Sequence, residues 1–481
     1  MAEPSRTPPS LAPTREDAVA AALSERFGGP AGRHGSRHPW WTPVRVLLAV
    51  CTVVFGLSLL QHTPCVHSDW TGNNARYRAM CYSDIPYLYT GRGLAERQWP
   101  YAASNRYRAM EYPVGIAYLA WLVAEATSLA PQGPPEQVRA ATPVDEMFSL
   151  PGMSREASEY FFLTALVLFG CGLAATALLT GVRRRRPWDA AGFVLSPALL
   201  MAGLINWDLL AVVCVAGALF AWSRGRPGWA GVAVGIGTAT KLYPLFLLGA
   251  FLVPALRRDA SRASRVGFGW ASATAAAAWL LAQLPAWLSG GFDRWSVFWT
   301  FNADRGPDLG SWWLLLSHLG AAASPGTVNL VSWLFFGAAC VAICVLGLRA
   351  PEPPRIAQVG LLVVLAFLLV NKVYSPQYVL WLLPLAAMAR PRWRDLLVWQ
   401  AAELVYFAAV WLWIGGWLDS PGGGAPVYDA AIVVRIAGEL FLAALVVRDV
   451  LRPEHDPVRW ELAGPGQAGP ETTTRSNLVV V

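Results

Sequence analysis

Long apolar runs alternate with short polar segments over almost the whole chain. A helix needs roughly 20 consecutive apolar residues to cross a bilayer, and many of these runs approach that length. The first run, residues 44–60, follows a tail too long for an ordinary secretory signal, so we interpret it as an uncleaved first helix. Of the 481 residues, 55% are hydrophobic and 14% are charged, whereas a soluble domain has about 25% charged residues. The pattern predicts an all-α polytopic membrane protein.

Clusters of arginine between the apolar runs predict how the chain is oriented. Basic residues concentrate in the cytoplasmic loops of membrane proteins. Arg33 and Arg37 precede the first run, and Arg45 lies at its start. The N-terminus is therefore predicted in the cytoplasm, and the loop that starts at Gln61 is predicted outside it. Because the net charge of +7 resides in such clusters, it does not indicate a nucleic-acid partner.

The next strongly basic cluster, residues 183–186, must lie on the cytoplasmic side again. An odd number of crossings is then required, although two apolar segments, 113–130 and 160–180, precede the cluster. The first contains Glu125 and is followed by an acidic, proline-rich stretch, so we predict that it is a juxtamembrane or re-entrant helix on the outer side. The second segment crosses inward.

Three later apolar segments each start and end at a basic cluster, so each is predicted to be a hairpin of two crossings. They comprise residues 190–222, 228–256 and 356–389. These 29 to 34 residues are too few for two full spans of roughly 20 each. The turns are therefore predicted below the membrane surface, where an irregular backbone is tolerated if it lines a cavity in the protein.

The three predicted turns are polar. Their sequences are Asn206-Trp207-Asp208, Lys241-Leu242-Tyr243-Pro244 and NKVYSPQ at 371–377. Ionisable groups at this depth are costly and usually mark functional sites. A single charge could instead extend to the surface, but three polar turns on one side favour a shared cavity. The remaining segments bring the total to about twelve crossings and return the C-terminus to the cytoplasm.

The first outer loop, residues 61–159, supplies carboxylates on the same side as these turns. Asp84 precedes a short amphipathic segment, and Glu111 lies at the start of the juxtamembrane helix. A carboxylate held close to the membrane surface can accept a proton from a sugar hydroxyl. Asp69 and Glu96 fit better as solvated loop acids.

Lys241, Lys372 and Arg305 are cations predicted on that side too. Cations directed at a phosphate stabilise the charge that develops on a leaving phosphate oxygen. For the segment around Arg305, an ordinary interfacial loop with an aromatic belt is the alternative interpretation. Carboxylates and cations around one outer cavity favour transfer from a lipid-linked phosphate donor.

Motifs for other chemistries are incomplete. His62, Cys65 and His67 lie close together, but no further ligands follow at a spacing typical of zinc sites. GIGTATK lacks the ending of a phosphate-binding P-loop. Cys65 and Cys81 could form a disulfide if their loop faces an oxidising compartment, or they could be two unrelated thiols.

The chain resembles the polyprenyl-phosphate-sugar-dependent glycosyltransferases of the GT-C superfold. Within that group it resembles glycosyltransferase family 87, the polyprenol-phosphomannose-dependent mannosyltransferases. The similar stretches lie in family order between about residues 44 and 390, and they read SDIPYLYTGRGL, WPY, EYPVG, INWDLLAV, GIGTATKLYPLFLL and NKVYSPQYVLWLLPL. Tyr112-Pro113-Val114 departs from the YPP of many relatives, as expected of a divergent branch with a different acceptor, and residues 131–155 form an insertion.

The resemblance implies an inverting hexosyltransferase with its active site at the extracytoplasmic end of the fold. The family's catalytic base falls on Asp84, and further acidic positions fall on Asp208 and Glu111. The implied donor is a polyprenyl-phosphate sugar, with mannose expected, rather than a nucleotide sugar. The implied acceptor is a glycan or glycolipid of the cell envelope. No cofactor is expected, and a metal is not generally needed.

The predicted organisation follows from the pattern and the resemblance together. Residues 1–43 and 449–481 are predicted to be disordered cytoplasmic tails. Residues 44–288 form the predicted GT-C-like core module. Residues 289–448 form a variable C-terminal transmembrane module with an outer loop at 289–326. The predicted location is the cell membrane, with membrane lipids as the surroundings.

The predicted site has Asp84 as the catalytic base. The residues predicted to bind substrate are Glu111, Asp208, Lys241, Arg305, Lys372, Tyr374 and Gln377. A transporter or lipid flippase is the main alternative, because broken helices and buried charges also serve transport. A scaffold with a decayed active site is a third interpretation. The lack of an inverted repeat and the organised acidic first loop favour the enzyme.

Overall fold

A computed structural model describes residues 40–72, 74–104, 106–419 and 424–459. The regular secondary structure of these residues is helical, and their single β feature is an isolated parallel bridge between Asp308 and Val373. The predicted all-α class is therefore confirmed. Residues 1–39 and 460–481, most of the two predicted tails, lie outside the described ranges.

The α-helices follow one another along the chain and are numbered in that order. They are α1 (Pro43–His67), α2 (Ala75–Arg78), α3 (Asp84–Gly91), α4 (Val114–Thr127), α5 (Glu136–Ala141), α6 (Met153–Val182), α7 (Ala191–Val194), α8 (Pro197–Ala202), α9 (Leu209–Ser223), α10 (Pro227–Thr240), α11 (Leu247–Leu256), α12 (Arg262–Trp295), α13 (Val297–Asp304), α14 (Trp312–His318), α15 (Pro325–Arg349), α16 (Ile356–Val370), α17 (Val379–Ala389), α18 (Trp393–Ile414) and α19 (Pro426–Leu451). Short 3-10 helices occupy Leu94–Glu96, Met147–Ser149, Pro187–Ala190, Tyr243–Phe246, Pro376–Tyr378 and Pro453–His455.

Within the described ranges, five helices are long and apolar enough to cross a membrane: α1, α6, α15, α18 and α19. Shorter apolar helices include α4, α9, α11, α16 and α17. Helix α12 is longer than any of these but less apolar, and it is kinked at Gly291. The count of about twelve crossings and their directions stay predictions.

Each of the three segments predicted to form hairpins is interrupted where its turn was predicted. The chain leaves helical geometry between α8 and α9, at Lys241 after α10, and at Asn371 after α16. Pro244 and Pro376 lie in the first turn of the 3-10 helices that start the second and third returning halves. Proline favours a helix start, because its missing N–H would be unpaired there anyway.

Helix α4 fits the predicted juxtamembrane helix. Its 14 residues extend about 21 Å, which is short of the roughly 30 Å hydrocarbon core. Tyr118 anchors it to α12, because its hydroxyl donates to the Ala282 carbonyl at 3.0 Å and accepts from the Ala286 N–H at 2.9 Å.

The predicted C-terminal tail starts too early in the sequence. Helix α19 continues to Leu451, and the chain beyond it packs against the protein. The Asp456 carboxylate is fully buried and accepts from Arg355 Nε at 2.8 Å. Because a buried arginine requires a charged partner, the Arg355–Asp456 pair holds the segment after α19 against the protein. The packed part of the chain reaches Arg459, which forms an ion pair with Glu352.

Candidate functional site

One cavity of about 770 Å³ lies where the first outer loop meets the turns of the second and third hairpins. Helices α13, α15 and α18 complete its wall. The predicted site residues that line it are Asp84, Glu111, Lys241, Arg305, Lys372 and Gln377. Asp84 and Gln377 both line this cavity, so the fold brings together residues more than 290 positions apart in the sequence.

Backbone contacts fix the position of Asp84. Ser83 caps α3, with its hydroxyl accepting from the Ile85 N–H at 3.3 Å and donating to the Leu204 carbonyl at 2.8 Å. The Asp84 N–H donates to the Ile205 carbonyl at 2.8 Å. The first turn of α3 is thus attached to the turn of the first hairpin, and Asp84 lies at the helix N-terminus, where a negative charge is favoured.

The Asp84 carboxylate is held by neutral donors. Tyr82 donates its hydroxyl to Oδ1 at 2.9 Å, while Asn206 Nδ2 donates to Oδ2 at 2.7 Å and the Tyr112 hydroxyl does so at 3.4 Å. No cation of the described ranges lies within ion-pair distance. Desolvation by the surrounding protein raises the pKa of the Asp84 carboxyl, and the hydrogen bonds from Tyr82 and Asn206 oppose this rise.

The insertion at residues 131–155 supports the same helix from behind. The Tyr89 hydroxyl of α3 donates to Glu156 Oε1 at 2.6 Å, and Arg139 of α5 pairs with the same carboxylate at 2.6 Å. Arg139 also donates to the Ala95 carbonyl at 2.7 Å. Because the pair is buried and fully bonded, it fixes α3 firmly.

Glu111 lines the cavity as half of an ion pair. Its two carboxylate oxygens accept from Nε and Nη2 of Arg92 at 2.7 and 2.6 Å. A bidentate arginine stabilises the charged carboxylate and directs its lone pairs away from other donors. Glu111 is therefore a poorer proton acceptor for a substrate hydroxyl than Asp84.

Asp208 lies behind the wall, which corrects its predicted contact with substrate. It is fully buried, and its Oδ1 accepts from Trp381 Nε1 at 2.6 Å and lies 3.4 Å from Lys241 Nζ. Lys241 in turn lies 5.0 Å from the ring centre of Tyr112, within range of a cation–π contact. Asp208 thus positions Lys241 and Trp381, which do line the cavity.

Two cations come from the other elements of the wall. Arg305 forms an ion pair with Asp308. Lys372 Nζ donates to Asn329 Oδ1 at 2.7 Å and to the Ala303 carbonyl at 3.2 Å. Within the described ranges, no carboxylate lies at ion-pair distance from Lys372, so its charge is available to a ligand.

Short backbone pairing brings these two cations together. The Asp308 N–H donates to the Lys372 carbonyl at 2.9 Å, and the Tyr374 N–H donates to the Leu309 carbonyl at 2.7 Å. The predicted outer loop at residues 289–326, the second outer loop, is therefore fastened to the turn of the third hairpin. The alternative interpretation of the Arg305 segment as an ordinary interfacial loop does not account for this attachment.

Tyr374 does not reach the cavity, which corrects its predicted role. Its side chain is fully buried, its hydroxyl donates to Glu403 Oε2 at 2.9 Å, and Arg435 lies 3.7 Å from its ring centre. Arg435 also donates to the Gly310 carbonyl at 2.9 Å. This buried cluster anchors the second outer loop from behind, whereas Gln377 does line the cavity.

Several residues of the site were missed from the sequence. They are Tyr82, Tyr112 and Asn206 around Asp84, Arg92 beside Glu111, and Asn329 beside Lys372. Asn206 belongs to a predicted turn and could have been found there. The others come from elements whose packing the sequence pattern does not show.

The two open interpretations of the outer-loop cysteines are resolved in favour of a disulfide. Cys65 and Cys81 are bonded, with their Cα atoms 5.8 Å apart. Cys65 is thereby unavailable to a metal ion. His62 is buried, with its Nδ1 2.8 Å from the Ser58 carbonyl.

Residues 151–371 match the model of glycosyltransferase family 87. The chain is similar to that family over this range. The match includes Asp208, Lys241 and Arg305 and crosses the predicted module boundary at 288, but Asp84 and Glu111 lie before it and Lys372 directly follows it. A search among curated proteins gave no match.

Proposed function

We propose that this protein is a membrane glycosyltransferase that moves a hexose from a polyprenyl-phosphate sugar to a hydroxyl group outside the cytoplasm. Mannose is the sugar expected from the resemblance. One observation carries the proposal: among the described residues, Asp84 has no cation and Lys372 has no carboxylate at ion-pair distance, and both line the same cavity. The similarity to glycosyltransferase family 87 supports it.

Asp84 acts as the general base of a single displacement. The acceptor oxygen attacks the anomeric carbon while its proton passes to the Asp84 carboxylate. The bond between that carbon and the phosphate oxygen breaks on the opposite face, and its electron pair remains on the phosphate. One displacement inverts the anomeric configuration, and the products are a glycoside and polyprenyl phosphate.

Lys372 and Arg305 stabilise the leaving group. Cleavage adds negative charge to the phosphate, and fixed cations in a water-poor cavity stabilise that charge more strongly than water does. Arg305 shares its charge with Asp308, whereas the partners of Lys372 in the described part of the chain are neutral oxygens. We therefore assign the larger share of this stabilisation to Lys372.

The cavity wall also suits a lipid-linked donor. Phe298, Trp299, Trp333, Phe336 and Phe367 form an apolar section of it. Trp299 and Trp333 are 40% and 56% exposed, and helix α15 is mostly uncovered by other elements. A prenyl chain can lie along such a surface in the bilayer while its phosphate enters the cavity.

The disulfide supports an extracytoplasmic cavity. Structural disulfides form in oxidising compartments, and the Cys65–Cys81 bond closes a loop whose Tyr77 lines the cavity. The basic clusters support a cytoplasmic location for the other end of the helices.

Buried ion pairs at that other end favour an enzyme over a transporter. Arg355 pairs with Asp456, and Arg390 pairs with both Asp395 and Asp449, all fully or almost fully buried. Alternating access would have to open this end. Breaking a buried pair costs about 3–5 kcal/mol, so these contacts favour a permanently closed end.

The proposed donor class can be tested with purified protein in lipid nanodiscs. Polyprenyl-phosphate mannose, polyprenyl-phosphate glucose and GDP-mannose are offered separately, with a cell-envelope glycolipid extract as the acceptor source. We expect release of polyprenyl phosphate, measured by mass spectrometry, from one of the polyprenyl donors and no consumption of GDP-mannose. Consumption of GDP-mannose alone contradicts the proposal.

The pH profile tests Asp84 as the base. Because desolvation raises the pKa of Asp84, the acid limb of kcat/KM is expected above the ordinary aspartate value of about 3.9. The charge of Lys241 lowers this pKa, so its loss favours the protonated form. Lys241→Gln should therefore move the acid limb to higher pH, while Lys241→Arg should leave it near the wild-type position. A limb that moves to lower pH in Lys241→Gln would contradict the assignment.

A further inference from the structure

Tyr378 is a cavity residue that the sequence pattern does not distinguish from its neighbours. It is the last residue of the 3-10 helix Pro376–Tyr378, it is half-buried, and it lines the cavity. Its hydroxyl makes no hydrogen bond with any residue in the described part of the chain. A phenol that lines a cavity and has no described partner is available to a ligand.

The ring of Tyr378 belongs to an aromatic stack that extends into the core. Trp381 stacks on Tyr378 with ring centres 4.1 Å apart at 25°, and on Tyr243 with ring centres 4.5 Å apart at 8°. Tyr243 is fully buried, and Trp381 is almost so. Because stacking fixes the plane of each ring, the direction in which the Tyr378 hydroxyl points is set by the core.

The buried acid Asp208 orients the middle ring of this stack. Its Oδ1 accepts from Trp381 Nε1 at 2.6 Å and lies 3.4 Å from Lys241 Nζ. A hydrogen bond to a charged acceptor is stronger than one between neutral groups. Asp208 lies behind the cavity wall, yet through Trp381 it acts on a side chain that lines the cavity.

The charges around the Tyr378 hydroxyl indicate what it faces. The charged groups that interact with it electrostatically are Arg305, Asp208, Asp84 and Asp308, and Arg305 is the cation among them. An anion that binds Arg305 therefore comes near this hydroxyl. A phosphate has several oxygens, so it can accept from Arg305 and from a neutral donor at the same time.

We propose that Tyr378 is a catalytic residue whose hydroxyl donates a hydrogen bond to the leaving phosphate, and that Asp208 and Trp381 are its positioning residues. This inference rests on the proposed function. As the bond between the anomeric carbon and the phosphate oxygen breaks, its electron pair stays on the phosphate and Tyr378 keeps its proton. A fixed neutral donor stabilises the new charge without placing a further cation in the membrane.

Binding of farnesyl phosphate, a short form of the leaving group, tests this contact without turnover. Its affinity for the protein in nanodiscs is measured by microscale thermophoresis, with empty nanodiscs correcting for partitioning into lipid. Tyr378→Phe keeps the ring and should weaken this binding by about tenfold, as expected for one hydrogen bond to a charged group. Farnesol, which has no phosphate, should bind both proteins within about twofold.

The same variant should also slow the chemical step. Single-turnover transfer from a polyprenyl donor is expected to fall by about 10² in Tyr378→Phe, the loss typical of removing one donor to a developing oxyanion. Tyr243→Phe is the matched control, because it removes a hydroxyl from the buried end of the same stack, and that hydroxyl has no partner among the described residues. It should bind farnesyl phosphate within about twofold of wild type.

A double-mutant cycle tests whether Trp381 acts through Tyr378. Trp381→Phe removes the indole N–H that Asp208 accepts and should weaken farnesyl phosphate binding in the wild-type protein. Added to Tyr378→Phe, it should have little further effect, because residues that act through one contact are not additive. An equal loss in both backgrounds contradicts the positioning role.

Four further results overturn the role of Tyr378 or separate it from the proposed function. Tyr378→Phe that binds farnesyl phosphate as tightly as wild type, or transfers sugar as fast, excludes the contact with the leaving group. An equal loss of farnesol binding would mean that the variant disturbs the cavity rather than a phosphate contact. If the wild-type protein binds no farnesyl phosphate, this inference and the proposed function both fail. If Lys372→Met loses that binding and Tyr378→Phe keeps it, the proposed function stands and this inference alone fails.

Discussion

Asp84→Asn is expected to lower the rate of sugar transfer by about 10² to 10⁴, the contribution typical of a positioned general base. Asparagine has the same shape as aspartate but cannot take up the acceptor's proton. The fold should be unaffected, because an amide can still accept from Asn206 and can donate to the Tyr82 hydroxyl. Release of polyprenyl phosphate from labelled donor, measured with purified protein, gives the rate, and thermal unfolding checks the fold.

Glu111→Gln is the matched control for this variant. Glu111 lines the same cavity, but both of its oxygens already accept from Arg92. We expect Glu111→Gln to lose less of the transfer rate than Asp84→Asn. Its pH profile of kcat/KM should keep the acid limb, which removal of the base would abolish. If Glu111→Gln abolishes transfer and Asp84→Asn does not, the base has been assigned to the wrong carboxylate.

Lys372→Met is expected to lower transfer by about 10² to 10³, the loss typical of removing one group that stabilises a developing oxyanion. Methionine keeps most of the length of the side chain and removes its charge. Asn329 and Ala303 lose a donor, but they lie on the cavity wall, where water can replace it. The effect should therefore fall on the chemical step rather than on folding, and single-turnover kinetics with a polyprenyl donor measures it.

Lys372→Arg restores the charge with a different shape and should recover part of the lost rate. Arg305→Met should cost less than Lys372→Met, because Arg305 already shares its charge with Asp308. A Lys372→Met enzyme within a fewfold of wild type would mean that the phosphate does not bind at this cation.

The breaks in the helices could be predicted because charge and length conflict in the sequence. Basic clusters require both ends of each hairpin on one side, and 29 to 34 residues cannot make two full crossings of roughly 20. Polar residues must then lie at the turns. The structure breaks each hairpin there, and the turns supply Lys241, Lys372 and the Asn206 that holds Asp84.

Which side chains of a turn face the cavity could not be predicted. A turn has no periodicity from which to read direction, so Tyr374 and Gln377 looked equivalent in the sequence. In the structure, Gln377 lines the cavity while Tyr374 is buried against Glu403 and Arg435. Those partners belong to α18 and α19, and only tertiary packing brings them there.

Ion pairing between distant segments was equally invisible in the sequence. Arg92 forms an ion pair with Glu111. Asp208 accepts a hydrogen bond from Trp381 and forms an ion pair with Lys241, so two acids predicted to bind substrate have partners within the protein. Asp456 lies in a stretch whose composition is typical of disorder, yet buried Arg355 draws it into the fold. Such ion pairs depend on which surfaces pack together in the fold, and the composition of a segment does not show this.

A density map of the Asp84→Asn protein with polyprenyl-phosphate mannose bound tests the central claim most directly. The variant retains the cavity but does not consume the donor during the measurement. The account predicts the phosphate at hydrogen-bond distance from Lys372 Nζ, the sugar ring between that phosphate and residue 84, and the prenyl chain leaving along the apolar section of the wall. A phosphate bound outside this cavity, or a sugar ring directed away from residue 84, would contradict it.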